Sequence, residues 1–254
     1  MEILTDPAIY NVLPFVFLVA FLTGVVKGVV GFGMPMLLIS GTSIFLPPDL
    51  ALAALLMPTV FSNIFQAFEQ GLDAARASVI KFKEFLVIAA VFLILGAQLV
   101  VHIPGPLFLG VLGCIVVGFS VLLMSGYQIE LGQSQVVPRL LAITAGFVGG
   151  LSGVYGPPTV AYLTALKTEK TEQIRVQGIV FGLGTVLLVA AHVVSGILNA
   201  QTIWLSLSLV PFAMFGTYLG GGLRNRFDQN QFRRATLIVL FLAGLNLIRL
   251  AVFG

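Results

Sequence analysis

The chain has 254 residues and a formal net charge of +3, with 58% hydrophobic and 9% charged residues and a mean hydropathy of +1.07. A soluble domain carries roughly 25% charged residues, so a water-bathed globule is excluded. The basic residues lie in short loops between apolar runs, which argues against a nucleic-acid surface, and two histidines with one cysteine cannot build a metal cluster or an intrachain disulfide framework.

In chain order, the first apolar run covers 12–31. Glu2 and Asp6 precede it, where a cleavable signal would carry positive charge. A short apolar piece follows at 34–46, then long segments near 50–69, 82–102 and 105–125, with a loop at 70–84. After a linker at 127–137 the order repeats: a segment at 138–155, a short piece at 157–166, and long segments near 173–198, 202–222 and 233–252. The short pieces reach only ~15–20 Å as helices, less than a ~30 Å hydrocarbon core. Each opening pair therefore reads as a hairpin. With the N-terminus outside, every lysine and arginine except Lys27 and Arg249 then falls on the inner side. The alternative, in which each pair is one crossing helix, cannot place the three basic loops together. The expected fold is an all-α polytopic membrane protein of two inverted repeats, 1–126 and 138–254, each a broken or re-entrant hairpin plus three transmembrane helices. Both termini are expected outside.

The two hairpins share the frame Gly-x-x-x-Gly-x-x-Gly-x-x-x-Pro, set by Gly24/Gly146, Gly28/Gly150, Gly31/Gly153 and Pro35/Pro157. Gly71 with Gly196, and Gly96 with Gly216, extend the match. Broken apolar helices at corresponding places in two halves point to a transporter binding site. Gly28, Gly31 and Gly33 in one copy, and Gly153 and Gly156 in the other, allow irregular backbone; Pro35 and Pro157 suit the first turn of a returning helix. Such a helix start, expected near the membrane midplane, presents free N–H groups and the positive end of a dipole, which favours an anion. Lys27 sharpens the expectation, since a lysine in an apolar helix costs ~2.5–3.5 kcal/mol on insertion scales and no acidic residue occurs between Asp6 and Asp49. The second copy has Gly149 there.

Further candidates are Met34, Asn63 and Gln66, with Ser62 beside them, and Tyr155 and Thr159 in the second copy. Glycine spacing alone would equally suit helix packing. Gln98, His192 and Asn246 read first as interhelical hydrogen bonders, although His192 is also the default candidate for proton coupling. Cys114 reads as a small core residue, and Tyr10 and Trp204 as interfacial anchors.

At Gly24–Pro35 and Gly149–Pro158 the chain resembles the sulfite exporter TauE/SafE family. The resemblance covers essentially the whole length, and Gly31-Phe32-Gly33-Met34 stands where many members carry a run of glycines. It implies transport of small anions across a bacterial inner membrane, with sulfite and organosulfonates such as sulfoacetate or taurine-like compounds as substrates. The expected activity is secondary transport without a cofactor, coupled to a proton or sodium ion, with a passive anion channel as the alternative. An intramembrane enzyme is disfavoured, since no catalytic constellation is present; an interaction-only membrane subunit is a further reading.

Overall fold

The computed structural model describes residues 7–99, 105–125, 136–152 and 156–253, and all regular structure among them is α-helical. The helices are α1 (Pro7–Tyr10), α2 (Leu13–Val30), α3 (Met34–Thr42), α4 (Pro48–Phe68), α5 (Leu72–Lys81), α6 (Lys83–Leu99), α7 (Gly105–Met124), α8 (Val136–Ser152), α9 (Gly156–Ala165), α10 (Lys170–Val194), α11 (Thr202–Arg226) and α12 (Gln229–Phe253). Five of them, α2, α4, α10, α11 and α12, are long and apolar enough to cross a membrane. The chain is a multi-pass membrane protein. The described helices follow the expected segments closely, with two additions: the single turn α1 precedes the first of them, and α5 occupies the stretch expected as a loop at 70–84.

The fold divides into two compact units that cut across the sequence repeats. The first comprises Met1–Gln66 and Thr185–Phe227, the second Ala67–Gly184 and Asp228–Gly254. The expected repeats are units of sequence, whereas these are units of packing.

In the first unit, α2 carries Pro14 in its first turn and stops at Gly31. Gly31 (φ +89°) and Gly33 (φ +88°) both hold left-handed backbone, which only glycine adopts at little cost. The Gly31 N–H closes the helix on the Lys27 carbonyl at 2.7 Å. α3 then starts with Pro35 in its first turn. The chain reverses here: Gly41 of α3 meets the Val19 side chain, and Phe45 stacks on Phe15 at 5.4 Å. The expected hairpin is therefore present.

α2 and α11 run parallel and meet backbone to backbone. Gly24 lies against the Ala213 carbonyl, Gly28 against Thr217, and Gly220 against the Val25 carbonyl and the Gly28 Cα. Around this seam Val16, Ala20, Met34, Leu38, Leu56, Leu205 and Leu209 form a core. Pro58 inside α4 frees the carbonyl of Ala54 from its helical bond. Ser206 of α11 donates to that carbonyl at 3.2 Å and accepts from the Met57 N–H at 2.9 Å. Buried polar backbone in an apolar setting needs such a partner.

The second unit repeats the seam with other helices. Gly146 of α8 lies against the Ala89 carbonyl of α6, and Gly96 of α6 against the Phe147 carbonyl and the Gly150 Cα. This corrects one expected pairing: Gly96 corresponds to Gly220, one helical turn beyond Gly216. Glycines spaced by one turn offer two sequence registers, and the contact selects one. Elsewhere in this unit α7 and α12 pack antiparallel, with Gly113 against Gly244 and Gly110 facing Ala251. Tyr162 of α9 stacks on Phe85 at 4.3 Å. Cys114 on α7 is exposed rather than a core residue.

Candidate functional site

Lys27 is 1% exposed, a full-length basic side chain enclosed within the first unit. α2 brings it 14 residues past Leu13, about 21 Å along the helix. Its Nζ donates to Asn63 Oδ1 of α4. One turn further, Gln66 Nε2 donates to the Lys27 carbonyl at 3.2 Å. Asn63 and Gln66 stand at i and i+3, so one face of α4 meets one turn of α2. Asn63 Nδ2 donates in turn to Thr185 Oγ1 of α10 at 2.8 Å. That bond fixes the amide with its oxygen towards Lys27.

The cluster adjoins the start of α3. Ser62, next to Asn63, donates to Met34 Sδ at 3.5 Å and to the Thr59 carbonyl at 3.1 Å, and Met34 is the fully buried first residue of α3. Pro35 follows it, so no helical N–H is lost there. Lys27, Asn63, Gln66, Ser62 and Met34, each singled out in the sequence, are thus joined by contacts, with Gly28, Gly31, Gly33 and Pro35 forming the backbone around them.

The electrostatics are one-sided. The one carboxylate described in the first unit is Asp49, in the first turn of α4, 14 residues and about 21 Å along the helix from Asn63. No ion pair to Lys27 occurs among the described residues. Gln66 Oε1 is buried without a hydrogen-bond partner among them.

Two participants escaped the sequence reading. Thr185 is 122 residues from Asn63, the separation of the two glycine frames, and that spacing was the available signal. Arg224 was expected to emerge on the inner side, yet it is 2% exposed and its Nη1 reaches the Gly28 carbonyl at 3.4 Å. A cation there complements the carbonyl end of α2.

Among the second-copy candidates, Gly156 opens α9 and Thr159 is fully buried on it. Pro157 falls in the first turn of α9. Gly153 and Tyr155 lie outside the described residues. His192 sits in the last turn of α10, half-buried, with its Nδ1 lacking a partner among the described residues. It is 7 residues, about 10 Å, beyond Thr185, and among the described residues no hydrogen bond joins it to the Lys27 cluster.

In the second unit, segments of the basic loops meet. Lys81 pairs with Glu172 at 2.6 Å, Arg175 donates to Ser78 at 2.8 Å and to Gln70, and Gln229 bonds the Thr168 carbonyl at 3.0 Å and the Lys170 N–H at 3.1 Å. The stretches at 70–84 and 167–175 and the start of α12 at Gln229 therefore share one end of that unit. A cavity of about 110 Å³ there is lined by Lys81, Glu84, Arg139 and Tyr162 among others. Its cations are already paired, Arg139 with Glu84 and Lys81 with Glu172, so it offers an anion far less than Lys27 does.

A family model described as sulfite exporter TauE/SafE matches residues 16–247. No curated protein and no solved structure matches the chain.

Proposed function

The chain belongs to the sulfite exporter TauE/SafE family of membrane transporters, and from that membership we propose that it is a secondary transporter of a small sulfur oxyanion, sulfite or an organosulfonate. The anion would sit against Lys27, at the start of α3. The observation that carries this reading is the burial of Lys27 with a neutral amide as its partner. A buried charge without a counter-charge is costly, and a bound anion removes the cost. Free N–H groups at the start of α3 add a favourable partial charge.

The sequence contains no nucleotide-binding loop. The driving force would therefore be an ion gradient, the membrane potential or the substrate gradient, with a proton or sodium ion as the coupling species. The inverted relation of the repeats would let the halves alternate access in the manner of other repeat-built carriers.

The test is uptake of labelled sulfite or sulfoacetate into proteoliposomes. The wild type should show saturable uptake and counterflow exchange. Lys27→Ala should lose about ten- to a hundredfold in apparent affinity, the scale of a charge-assisted hydrogen bond. Unchanged saturable uptake by that variant would overturn the assignment of Lys27.

A further inference from the structure

We propose that α5 lies along the membrane surface and that its outward face binds the headgroup of an anionic phospholipid through Arg76 and Lys83. This is independent of what binds at Lys27.

The order of elements puts α5 at a membrane boundary. α4 is long and apolar enough to cross and ends at Phe68. Gly71 (φ +88°) then turns the chain, and α5 starts at Leu72. Its ten residues reach about 15 Å as a helix, half of a hydrocarbon core, so it follows the boundary instead of crossing.

The two faces of α5 meet different surroundings. Ala75 and Ser78 are buried, as is Phe82 just past the helix end. Ser78 Oγ accepts from Arg175 Nε at 2.8 Å, and Lys81 pairs with Glu172. These contacts fix the rotation of the helix about its axis. The opposite face carries Leu72 (73% exposed), Val79 (42%) and Ile80 (58%), with exposed Arg76 between them. Positions 72, 76, 79 and 80 stand at i, i+4, i+7 and i+8, a single stripe. Lys83, also exposed, opens α6 one turn after Val79.

An apolar stripe is unfavourable in water, and a guanidinium is unfavourable in hydrocarbon. The headgroup level suits both: Leu72, Val79 and Ile80 enter the acyl boundary while Arg76 extends its charged end to a phosphate. Charge selects the lipid. Arg76 and Lys83 make no ion pair among the described residues, whereas Lys81 is matched by Glu172 and Arg139 by Glu84. Asp73 stands beside the stripe in the first turn of α5, where the helix dipole favours an acid. Glu69 precedes the Gly71 turn and is not on the helix. Two cations with no acid between them favour a phosphate whose charge is not cancelled by the lipid's own ammonium.

The test is native mass spectrometry of the purified full-length protein, titrated with phosphatidylglycerol and with phosphatidylcholine. Phosphatidylglycerol should bind about twentyfold more tightly, roughly fivefold for each cation. The double variant Arg76→Gln with Lys83→Gln should lose that preference and leave phosphatidylcholine unchanged. Arg234→Gln removes an exposed cation elsewhere in the same unit and should alter either lipid by less than about twofold. A bimane label on Ile80→Cys, in a Cys114→Ser background because Cys114 is exposed, should be quenched by phosphatidylglycerol brominated near the headgroup end of its acyl chains. Equal binding of the two lipids, an undiminished preference in the double variant, or an equal loss in Arg234→Gln would overturn the proposal. Glycerol 3-phosphate binding as tightly as the lipid would also overturn it, by making the site one for free phosphate. An unquenched label would do the same, including one shielded by a second copy of the chain.

Discussion

In the first hairpin Gly24 and Gly28 lie against α11; in the second Gly146 lies against α6, and Gly150 meets Gly96. The first glycine of each frame meets a carbonyl oxygen, that of Ala213 at Gly24 and of Ala89 at Gly146, and the Cα atoms of Gly28 and Gly150 lie against Gly220 and Gly96. Between them, position 27 is lysine where position 149 is glycine. The difference separates two kinds of constraint. Backbone meeting backbone leaves no room for a side chain in either copy, so the seam demands glycine twice. Position 27 faces α4 through its side chain, outside that seam, and can carry chemistry in one copy alone.

Moving the charge is the severest way to break this comparison. The double variant Lys27→Gly with Gly149→Lys keeps the composition of the two hairpins and should lose uptake by at least about a hundredfold, because the residues 122 positions after Asn63 and Gln66 are Thr185 and Leu188. Retained uptake would mean the hairpins are interchangeable. The next largest effect is on folding. A side chain at Gly24 or Gly146 would drive into a backbone carbonyl, so Gly24→Leu and Gly146→Leu should each destabilise by about 3 kcal/mol or more. Gly222→Ala, which opens onto free space, should stay within ~0.5 kcal/mol. Thermal unfolding in detergent would show whether the two seams are equivalent; a large loss at one glycine only would deny it.

Asn63→Asp sharpens the comparison at lower cost. It places a carboxylate where Lys27 now donates to an amide, so the lysine is neutralised from within the protein. Substrate affinity should fall about tenfold while the folded protein persists, measured as the ratio of transport to unfolding midpoint.

The smallest effect concerns the helices that follow the hairpins. α4 opens on Pro48 with Asp49 in its first turn, whereas α10 is capped by Glu169. That carboxylate accepts from the N–H of Thr171 at 2.9 Å, the N–H of Glu172 at 3.2 Å and the Thr171 hydroxyl. Burial alone would push the Glu169 carboxyl up, but these bonds and the Lys170 charge together hold it below the ordinary glutamate range. A depressed folded value means the cap contributes fully above the unfolded value of ~4.3 and fades as pH falls below it. Glu169→Ala should therefore cost about 0.5–1 kcal/mol at neutral pH, low in the capping range because the group is exposed, and nothing once the pH is well below both values. A pH-independent difference in unfolding midpoint would remove the cap from this account.

Most of the architecture was legible because a membrane chain must hide its backbone in long apolar helices, and hydropathy reports those directly. The first hairpin was legible for the same kind of reason: Gly31, Gly33 and Pro35 each have a backbone conformation that few other residues suit. α5 was not legible. Asp73, Arg76 and Lys81 interrupt its short apolar stretch, and charge near a membrane boundary reads as loop whether or not the backbone coils. The partner of Arg224 was not legible either: charge counting assigns the residue to one side of the membrane, and nothing in a one-dimensional pattern announces that the Gly28 carbonyl waits for it. Lys27, Asn63 and Gln66 were legible as polar residues in apolar runs, whereas Thr185 was too ordinary a hydroxyl to stand out.

The bond between Asn63 and Thr185 makes the amide directional. With Nδ2 held by a hydroxyl oxygen on α10, Oδ1 is the end left for Lys27. An ordinary threonine thus decides which face of a neutral side chain the cation meets, and Thr185→Val would leave that amide free to turn its hydrogens towards it.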